Sequence, residues 1–338
     1  MKVLVIGAGW FGCHITHELL RHNVNVQTWE SAPSLFMGAS GSNPARLHDG
    51  YHYPRSQLTR KACWEHRHKF LADYKSCIRS VKHNFYAIAQ EHSLIDFGTY
   101  IEIMSSMPEL DFEILNSDGC EKLGMRNIEG ALKTQESYID ISSVRQLFIS
   151  LLGKTVTFSK SMPDTVSGFD WIIDCTFRRF SDYEVDRYEQ CIISLLHGPM
   201  DTAITVMDGA FPGLYPWMAD SEPNADQGVL SISSAELTPL SKTCKSWQDA
   251  VNILNDDYHI LINRASALWH QMAFYYPPVL KYKFIGHKTA VRAMPSSKAD
   301  ARLCRIYVDW ERQRITVQPG KIDSIYTAWE LVRKVLNI

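Results

Sequence analysis

The chain opens with an apolar segment, a cluster of glycines and a helical pattern. Lys2 to Ile6 is a short run rich in β-branched residues, which predicts a buried strand. Gly7 to Gly12 follows, and the next apolar residues recur at helical spacing. Val24 to Trp29 predicts a second strand, which ends next to Glu30. The pattern of strand, glycine turn, helix, strand and acid is typical of a βαβ unit.

This unit has the residue types that hold a dinucleotide. The first glycine permits a tight turn, the second lets the backbone approach a pyrophosphate, and the third lets helix and strand pack closely. Free N–H groups at the start of the helix bind phosphates. Glu30 is placed to accept hydrogen bonds from ribose hydroxyls, and it disfavours the 2′-phosphate of NADP. The binding residues predicted here are Gly7, Ala8, Gly9, Trp10, Phe11, Gly12 and Glu30.

The glycine motif alone does not separate NAD from FAD, but the segment after the second strand differs from that of an NAD dehydrogenase. An NAD dehydrogenase is expected to continue with further βα units. Here Ser31 to Pro54 is instead small, polar and glycine-rich, and we expect an extended strand from Arg46 to Tyr53.

Within this segment, Gly38-Ala-Ser-Gly-Ser-Asn43, His48, Gly50, Tyr53-Pro54 and Ser56 form a pattern that resembles the D-amino-acid oxidase superfamily of flavoproteins. The glycine oxidase and L-2-hydroxyglutarate oxidase branches are the most similar. The resemblance implies bound FAD, with the loop under its pyrophosphate and ribityl chain and His48 near the reactive ring. The FAD contacts that it implies are Ser40, Ser42, Asn43, Ala45, Arg46 and Leu47.

Later stretches fit the same plan. Tyr138 to Asp140, followed by a helical pattern, looks like the superfamily's "G-x-I-D" helix. Thr155 to Phe158 resembles the strand whose backbone meets the adenine, which implies a contact by Val156. Asp170 to Thr176 resembles the strand that returns to the nucleotide, which implies a contact by Thr176. Phe177 stands where the superfamily usually has glycine.

The C-terminal region carries two further similarities. Ala290 to Pro295 resembles "G-x-R-P-x-T-P-D", which implies that Arg292 lies at the substrate carboxylate, although Ser296-Ser297-Lys298 replaces the usual residues after it. A hairpin is predicted from residues 304–310 and 314–318. A turn then opens a terminal helix, and its implied flavin contacts are Gly320, Lys321 and Ile322. Flavin hydroxylases are expected to carry Gly-Asp at this contact, so Gly320-Lys321 disfavours that class.

We therefore predict an α/β fold, with a Rossmann-like FAD-binding domain and an inserted antiparallel-sheet α+β substrate domain. In the middle of the chain, strands are predicted at 203–207 and 229–233, a loop at 219–228 and one long helical stretch from Ser246 to Phe274. The FAD-binding domain is predicted at 1–80, 135–181 and 287–338, and the substrate domain at 81–134 and 182–286.

The resemblance implies an oxidoreductase that oxidises the C–H bond next to an amine by hydride transfer to flavin N5, with dioxygen or another acceptor reoxidising the flavin. His48 would orient or deprotonate the substrate, and Arg292 would hold its carboxylate unless an internal ion pair occupies it. Tyr215 would wall the pocket, or anchor a loop. The alternatives are oxidation of a 2-hydroxy acid, oxidation of an amine carried by a sugar or modified nucleobase, and a non-enzymatic FAD-binding scaffold.

Composition bears on the partners, the metal content and the location that we expect for the protein. The chain has 338 residues, 45% hydrophobic and 21% charged, with a net charge of -2, so charge gives no indication of nucleic acid and does not exclude it. Eight scattered cysteines without CxxC spacing predict reduced thiols and no metal site. We expect no signal peptide, no membrane span and a cytoplasmic location.

Overall fold

The computed structural model describes residues 1–162, 166–177, 187–219, 227–256, 258–294 and 304–338. Its strands are β1 Lys2–Ile6, β2 Asn25–Trp29, β3 Arg46–Leu47, β4 Ile78–Ser80, β5 His83–Ala89, β6 Phe112–Asn116, β7 Ile128–Thr134, β8 Ser137–Ile139, β9 Val156–Thr157, β10 Trp171–Asp174, β11 Arg187–Pro199, β12 Thr202–Met207, β13 Pro212–Ala219, β14 Gln227–Ser234, β15 Pro239–Cys244, β16 Lys283–Met294, β17 Arg305–Asp309 and β18 Arg314–Gln318.

The helices lie between these strands, and short 3₁₀ turns precede or follow several of them. The α-helices are α1 Trp10–Arg21, α2 Gln57–Asp73, α3 Phe97–Ser105, α4 Ser117–Lys122, α5 Ile141–Leu152, α6 Trp247–Asp256, α7 Tyr258–Tyr275 and α8 Ile325–Leu336. Within the described ranges, no helix is both long enough and apolar enough to span a bilayer.

The N-terminal sheet has the strand order β17-β18-β10-β1-β2-β9. Its central pairs, β10 with β1 and β1 with β2, are parallel, as a βαβ unit requires. Helices α1 and α8 cover one face, where Ile15 and Leu19 pack with Trp329 and Val332. This confirms the predicted Rossmann-like architecture, including the antiparallel hairpin of β17 and β18.

The large sheet has the order β15-β11-β14-β13-β12-β5-β7-β6, with β16 paired to β11. It is mostly antiparallel, and α7 packs on one face against residues such as Ile204 and Leu214. Because side chains alternate along a strand, Thr205 and Tyr215 lie on the opposite face. The large sheet includes β16 as far as Met294, so it continues beyond the predicted domain boundary at residue 286.

The small sheet, β3-β8-β4, connects the two larger ones. It places β3 against the face of the large sheet that carries Thr205. The predicted extended strand from Arg46 to Tyr53 is wrong beyond Leu47. The physical reason is Gly50, whose φ of +126° turns the chain, and the Tyr53 N–H then donates to the Gly50 carbonyl at 3.0 Å.

Two predicted helices differ locally from the structure, and one predicted loop is mostly not described. The helical stretch predicted from Ser246 to Phe274 is divided into α6 and α7, and residue 257 lies outside the described residues. The terminal helix begins at Ile325, after a 3₁₀ turn at Ile322–Ser324. Most of the loop predicted at 219–228, like Pro295 to Lys298, also lies outside the described residues.

Candidate functional site

The glycine turn brings α1 against β1 as the sequence requires. A Cβ atom on Gly12 would lie 1.8 Å from the Gly7 carbonyl oxygen, so a larger residue would separate the helix from the turn. A Cβ atom on Gly9 would lie 2.8 Å from Ser40 Oγ. The Trp10 N–H donates to the same Ser40 Oγ at 3.0 Å. The first turn of α1 therefore faces the loop that follows β2, with the backbone exposed at Gly9.

Glu30 holds the end of β2 next to the glycine turn. Its Oε2 accepts a hydrogen bond from the Ala8 N–H at 2.7 Å, and its Oε1 accepts one from the Ala32 N–H at 2.8 Å. Oε1 also accepts a hydrogen bond from the Ser31 hydroxyl at 3.3 Å, so Oε2 is the oxygen that keeps a further acceptor position. The predicted role of Glu30 toward ribose hydroxyls is compatible with this geometry.

A groove of about 370 Å³ runs along these elements. It extends from Glu30 past the glycine turn to the segment before α8. Trp247, Phe177 and Lys160 also line it, and sequence analysis did not assign them to the site. The predicted cofactor residues that line the groove are Gly7, Gly9, Trp10, Phe11, Glu30, Ser40, Asn43, Thr176, Gly320, Lys321 and Ile322.

The remaining predicted cofactor residues support the groove or lie beside it. Ala45 and Leu47 are buried in a core that also contains Trp10, and Val156 packs at its edge. Ser42 Oγ donates to the Thr289 carbonyl at 3.2 Å, which ties the loop to β16. The residues of this supporting group are Ala8, Gly12, Ser42, Ala45, Arg46, Leu47 and Val156.

Phe177 occupies the position where the similar superfamily usually has glycine. Its φ is +63°, in the left-handed region that glycine normally occupies. Its ring packs beside Trp247 and Tyr188, and it lines the groove. Just before it, Asp174 Oδ1 accepts hydrogen bonds from the backbone and hydroxyl of Thr176 at 2.9 and 2.6 Å.

His48 lies where β3 ends, in a cluster of aromatic and polar side chains. Its ring stacks on His52 with centroids 5.4 Å apart and meets Tyr53 edge-on at 5.4 Å. Its Nδ1 lies 3.4 Å from the Tyr86 hydroxyl. Burial lowers the pKa of His48 well below its usual value, and the charges of Lys321 and Arg46 add to this effect. The imidazole is therefore neutral at pH 7 and can accept a hydrogen bond.

A buried carboxylate stands behind His48, and sequence analysis missed it. Glu136 lies in the connection between β7 and β8 and is completely buried. Its Oε1 accepts a hydrogen bond from the Asp49 N–H at 2.7 Å, and its Oε2 accepts one from the Tyr86 hydroxyl. Asp49 forms an ion pair with Arg67. Burial raises the pKa of Glu136 and of Asp49.

Lys321 connects the groove to the His48 cluster. Its Nζ lies 3.1 Å from the centroid of the Tyr53 ring and 3.4 Å from Cys63 Sγ. Lys321 also lines the groove beside Gly320. The segment before α8 and the end of β3 are thus neighbours, as the predicted positions of the flavin contacts and of His48 require.

Arg46 and Tyr215 lie together on the large sheet. The Arg46 guanidinium stacks 4.6 Å from the Tyr215 ring centroid, and Nη1 donates to Thr205 Oγ1 at 2.9 Å. Tyr215 has no exposed surface, and its hydroxyl accepts a hydrogen bond from Asn84 Nδ2 at 2.8 Å. Tyr215 belongs to β13, and its ring packs against the Arg46 guanidinium. The predicted catalytic role of Tyr215 stays a prediction.

Arg292 has an internal partner. Its Nε and Nη2 donate to Glu189 Oε2 at 2.8 and 2.6 Å, and Glu189 is only 2% exposed. The two residues face each other across β16 and β11. The carboxylate-binding role of Arg292 stays a prediction, and the observed ion pair is the alternative stated for it.

The groove residues fit FAD. The backbone at Gly9 leaves room for a pyrophosphate that a Cβ atom would reduce, and the N-terminus of α1 supplies N–H donors. Oε2 of Glu30 has an acceptor position for a ribose hydroxyl, and Gly320 to Ile322 line the far end of the groove. No group of three or more potential metal ligands occurs among the described residues.

Comparisons with known proteins indicate an FAD-dependent enzyme. Residues 2–145 match the DAO family, whose description is FAD dependent oxidoreductase. FAD-dependent monooxygenase FPY4 of Fusarium mangiferae is 29% identical over 347 positions, which cover 98% of this chain and 90% of that protein. FAD-dependent monooxygenase kojA of Aspergillus flavus is 24% identical, with coverage of 100% and 86%.

Solved structures share the fold. Glycine oxidase from Geobacillus kaustophilus has a TM-score of 0.73 at 12% identity, covering 99% of this chain and 95% of its own. L-amino acid deaminase from Proteus vulgaris has a TM-score of 0.67 at 10% identity, covering 99% and 93%. The match over residues 2–145 and the groove indicate an FAD-dependent oxidoreductase whose N-terminal part is similar to the DAO family.

Proposed function

We propose that the protein oxidises the C–H bond next to an amine in an amino acid or aminoacyl-type substrate. When bound, FAD supplies the hydride acceptor at its N5 atom. The observation that carries the proposal is a partly exposed, neutral imidazole at His48, which contacts Tyr86 of the large sheet and feels the charge of Lys321, a residue that lines the groove. A neutral imidazole can take the proton of an ammonium group and so produce the neutral amine that oxidation requires.

The surroundings of His48 suit this role. The charges of Lys321 and Arg46, which with burial lower the pKa of His48, would also lower the pKa of a bound ammonium group and so favour the neutral amine. Glu136 and Tyr86 contact Nδ1 and orient the ring. The solved structures with this architecture include a glycine oxidase and L-amino acid deaminases, which are named for amino-acid substrates. Their structural similarity supports the proposal that an amine is oxidised, and it does not identify the substrate.

A second candidate is a monooxygenase, because the two curated relatives described above carry that name over nearly their whole lengths. This candidate needs an external reductant, such as a nicotinamide coenzyme, to reduce the flavin before dioxygen reacts. Oxidation of a 2-hydroxy acid, or of an amine carried by a sugar or a nucleobase, differs from the main proposal only in the substrate.

The experiment is anaerobic bleaching of the purified yellow holoenzyme. The flavin absorbance is followed after addition of amino acids and other primary and secondary amines, 2-hydroxy acids, NADH and NADPH, each in a separate cuvette. We expect bleaching by at least one amine and a lower rate in the His48→Asn variant. Bleaching by 2-hydroxy acids alone would reject the amine, and bleaching by NADH or NADPH alone would establish the second candidate.

A further inference from the structure

Two arginines lie on the face of the large sheet that is opposite α6 and α7. Val291 and Ala293 pack with Trp247 of α6, so Arg292, between them on β16, faces the other way. Arg46 reaches this same face from β3 and contacts Thr205 and Tyr215 there. Both arginines are therefore candidates for the positive charge that binds an anionic group of the substrate.

The charge of Arg292 is already neutralised. Two of its nitrogens donate to one oxygen of Glu189, a carboxylate with almost no exposed surface. A substrate carboxylate at Arg292 would lie beside Glu189 and would have to compete with it. Leaving a buried carboxylate without its cation is strongly unfavourable. The pair of Arg292 and Glu189 thus presents no net charge to a substrate.

The charge of Arg46 is not neutralised in this way. The groups that it contacts, the Thr205 hydroxyl and the Tyr215 ring, carry no formal charge, and among the described residues it forms no ion pair. Its side chain is partly exposed. Gly213 of the large sheet leaves space for the guanidinium, because a Cβ atom at this position would lie only 2.4 Å from Arg46 Nη2. Arg46 is a positioned guanidinium whose charge is available to a ligand.

Arg46 is also close to the proposed base. It is two residues from His48 in the chain, and its charge contributes to lowering the pKa of His48, after burial and Lys321. A substrate with an amine and an acid group on adjacent carbons could place the amine near His48 and the acid near Arg46. The planar guanidinium matches the geometry of a carboxylate.

We infer that Arg46, rather than Arg292, holds the anionic group of the substrate, and that this group is a carboxylate. The inference rests on the proposed function, since it assigns the group that binds the acid end of the proposed substrate. A purely structural role for Arg46, such as balancing the charge of Glu136, makes different predictions for ligand binding.

The test is a titration of the holoenzyme with matched acid and amide probes. Acetate and benzoate are compared with acetamide and benzamide, by isothermal titration calorimetry and by the change in flavin absorbance. We expect the wild type to bind each acid at least tenfold more tightly than its amide. Arg46→Met should reduce this preference to within twofold and leave the amide affinities unchanged, and Arg46→Lys should retain part of it.

The second arm is a double variant, Arg292→Met with Glu189→Gln, which removes both charges of the internal pair. We expect it to keep the preference for acids. Loss of the preference in the double variant, an unchanged preference in Arg46→Met, or equal weakening of acids and amides in Arg46→Met would each overturn the inference. So would failure of both acids to bind the wild type. Since no turnover occurs, this result is independent of whether amines bleach the flavin.

Discussion

The Nδ1 atom of His48 lies 3.5 Å from Oε2 of Glu136, a carboxylate with no exposed side-chain surface. The same oxygen accepts the hydrogen bond of the Tyr86 hydroxyl. An ionised Glu136 favours the tautomer with the proton on Nδ1, which leaves Nε2 as the acceptor. The protonation state of this buried carboxylate thus controls the base that we propose for the reaction.

Replacing Glu136 with Gln should reduce the pH dependence of stability. Burial raises the pKa of Glu136 above its ordinary 4.5, so the native state keeps a proton that the unfolded chain releases. Wild-type stability therefore falls as pH rises from about 4.5 toward neutrality, by at most about 1.4 kcal/mol per pH unit for one carboxyl group. Glu136→Gln removes this contribution to the pH dependence. Asp49, whose pKa burial also raises, contributes to the pH dependence in both proteins.

The measurement is urea unfolding of wild type and variant at pH 5, 6, 7 and 8. Glu113→Gln is the matched control, because the Glu113 side chain is 69% exposed and should leave the slope unchanged. Parallel curves for wild type and Glu136→Gln would show that Glu136 ionises normally in the native protein.

His48→Asn should slow flavin reduction while FAD stays bound. Asn keeps a polar side chain but cannot act as a base at neutral pH, and the loss of a general base typically costs about 10²- to 10⁴-fold in rate. Rapid-mixing absorbance with an amine that bleaches the wild type gives the rate, and the visible spectrum gives the FAD content. His92→Asn, at a side chain that is 89% exposed, is the control. An unchanged rate in His48→Asn would remove the proposed base.

The nucleotide half of the fold could be predicted because its signals are local. The spacing of Gly7, Gly9 and Gly12 and the acid at Glu30 depend on backbone geometry within one βαβ unit. The same holds for α5, which begins where Asp140 accepts hydrogen bonds from the N–H groups of Ser142 and Ser143. Such elements require no knowledge of distant contacts.

The polar cluster could not be predicted, because it is assembled by contacts across the fold. Tyr86 lies 50 positions from Glu136, and both lie in segments whose sequence reads as ordinary buried strand or turn. The Arg46 guanidinium meets Thr205 from 159 positions away. Arg292 illustrates the same limit, since only the register of β11 and β16 brings Glu189 opposite it.

Gly9→Ala tests the approach of FAD to the turn. The added Cβ atom would contact Ser40 Oγ at 2.8 Å, a clash that Ser40→Ala relieves. We therefore expect Gly9→Ala/Ser40→Ala to fold but to bind FAD at least about tenfold more weakly than Ser40→Ala, since a methyl group stands where the pyrophosphate approaches. Titration of the apoprotein with FAD, followed by quenching of flavin fluorescence, gives the affinities. Equal affinities in the single and double variants would place the pyrophosphate elsewhere.

A second pH prediction concerns His14, which is buried in α1 with Nδ1 at 2.6 Å from the Tyr74 hydroxyl. Burial, with smaller effects of His17 and Arg21, lowers the pKa of His14 from 6.5 to about 3. The unfolded chain therefore binds a proton that the native state excludes, so stability is lost as pH falls below 6.5, by about 2 kcal/mol at pH 5. In His14→Gln this contribution is absent, and the loss of stability between pH 7 and pH 5 should be smaller by that amount. Urea unfolding at both pH values measures it, with His92→Gln as the exposed control, and an equal loss in wild type and His14→Gln would mean that His14 is protonated in the native protein.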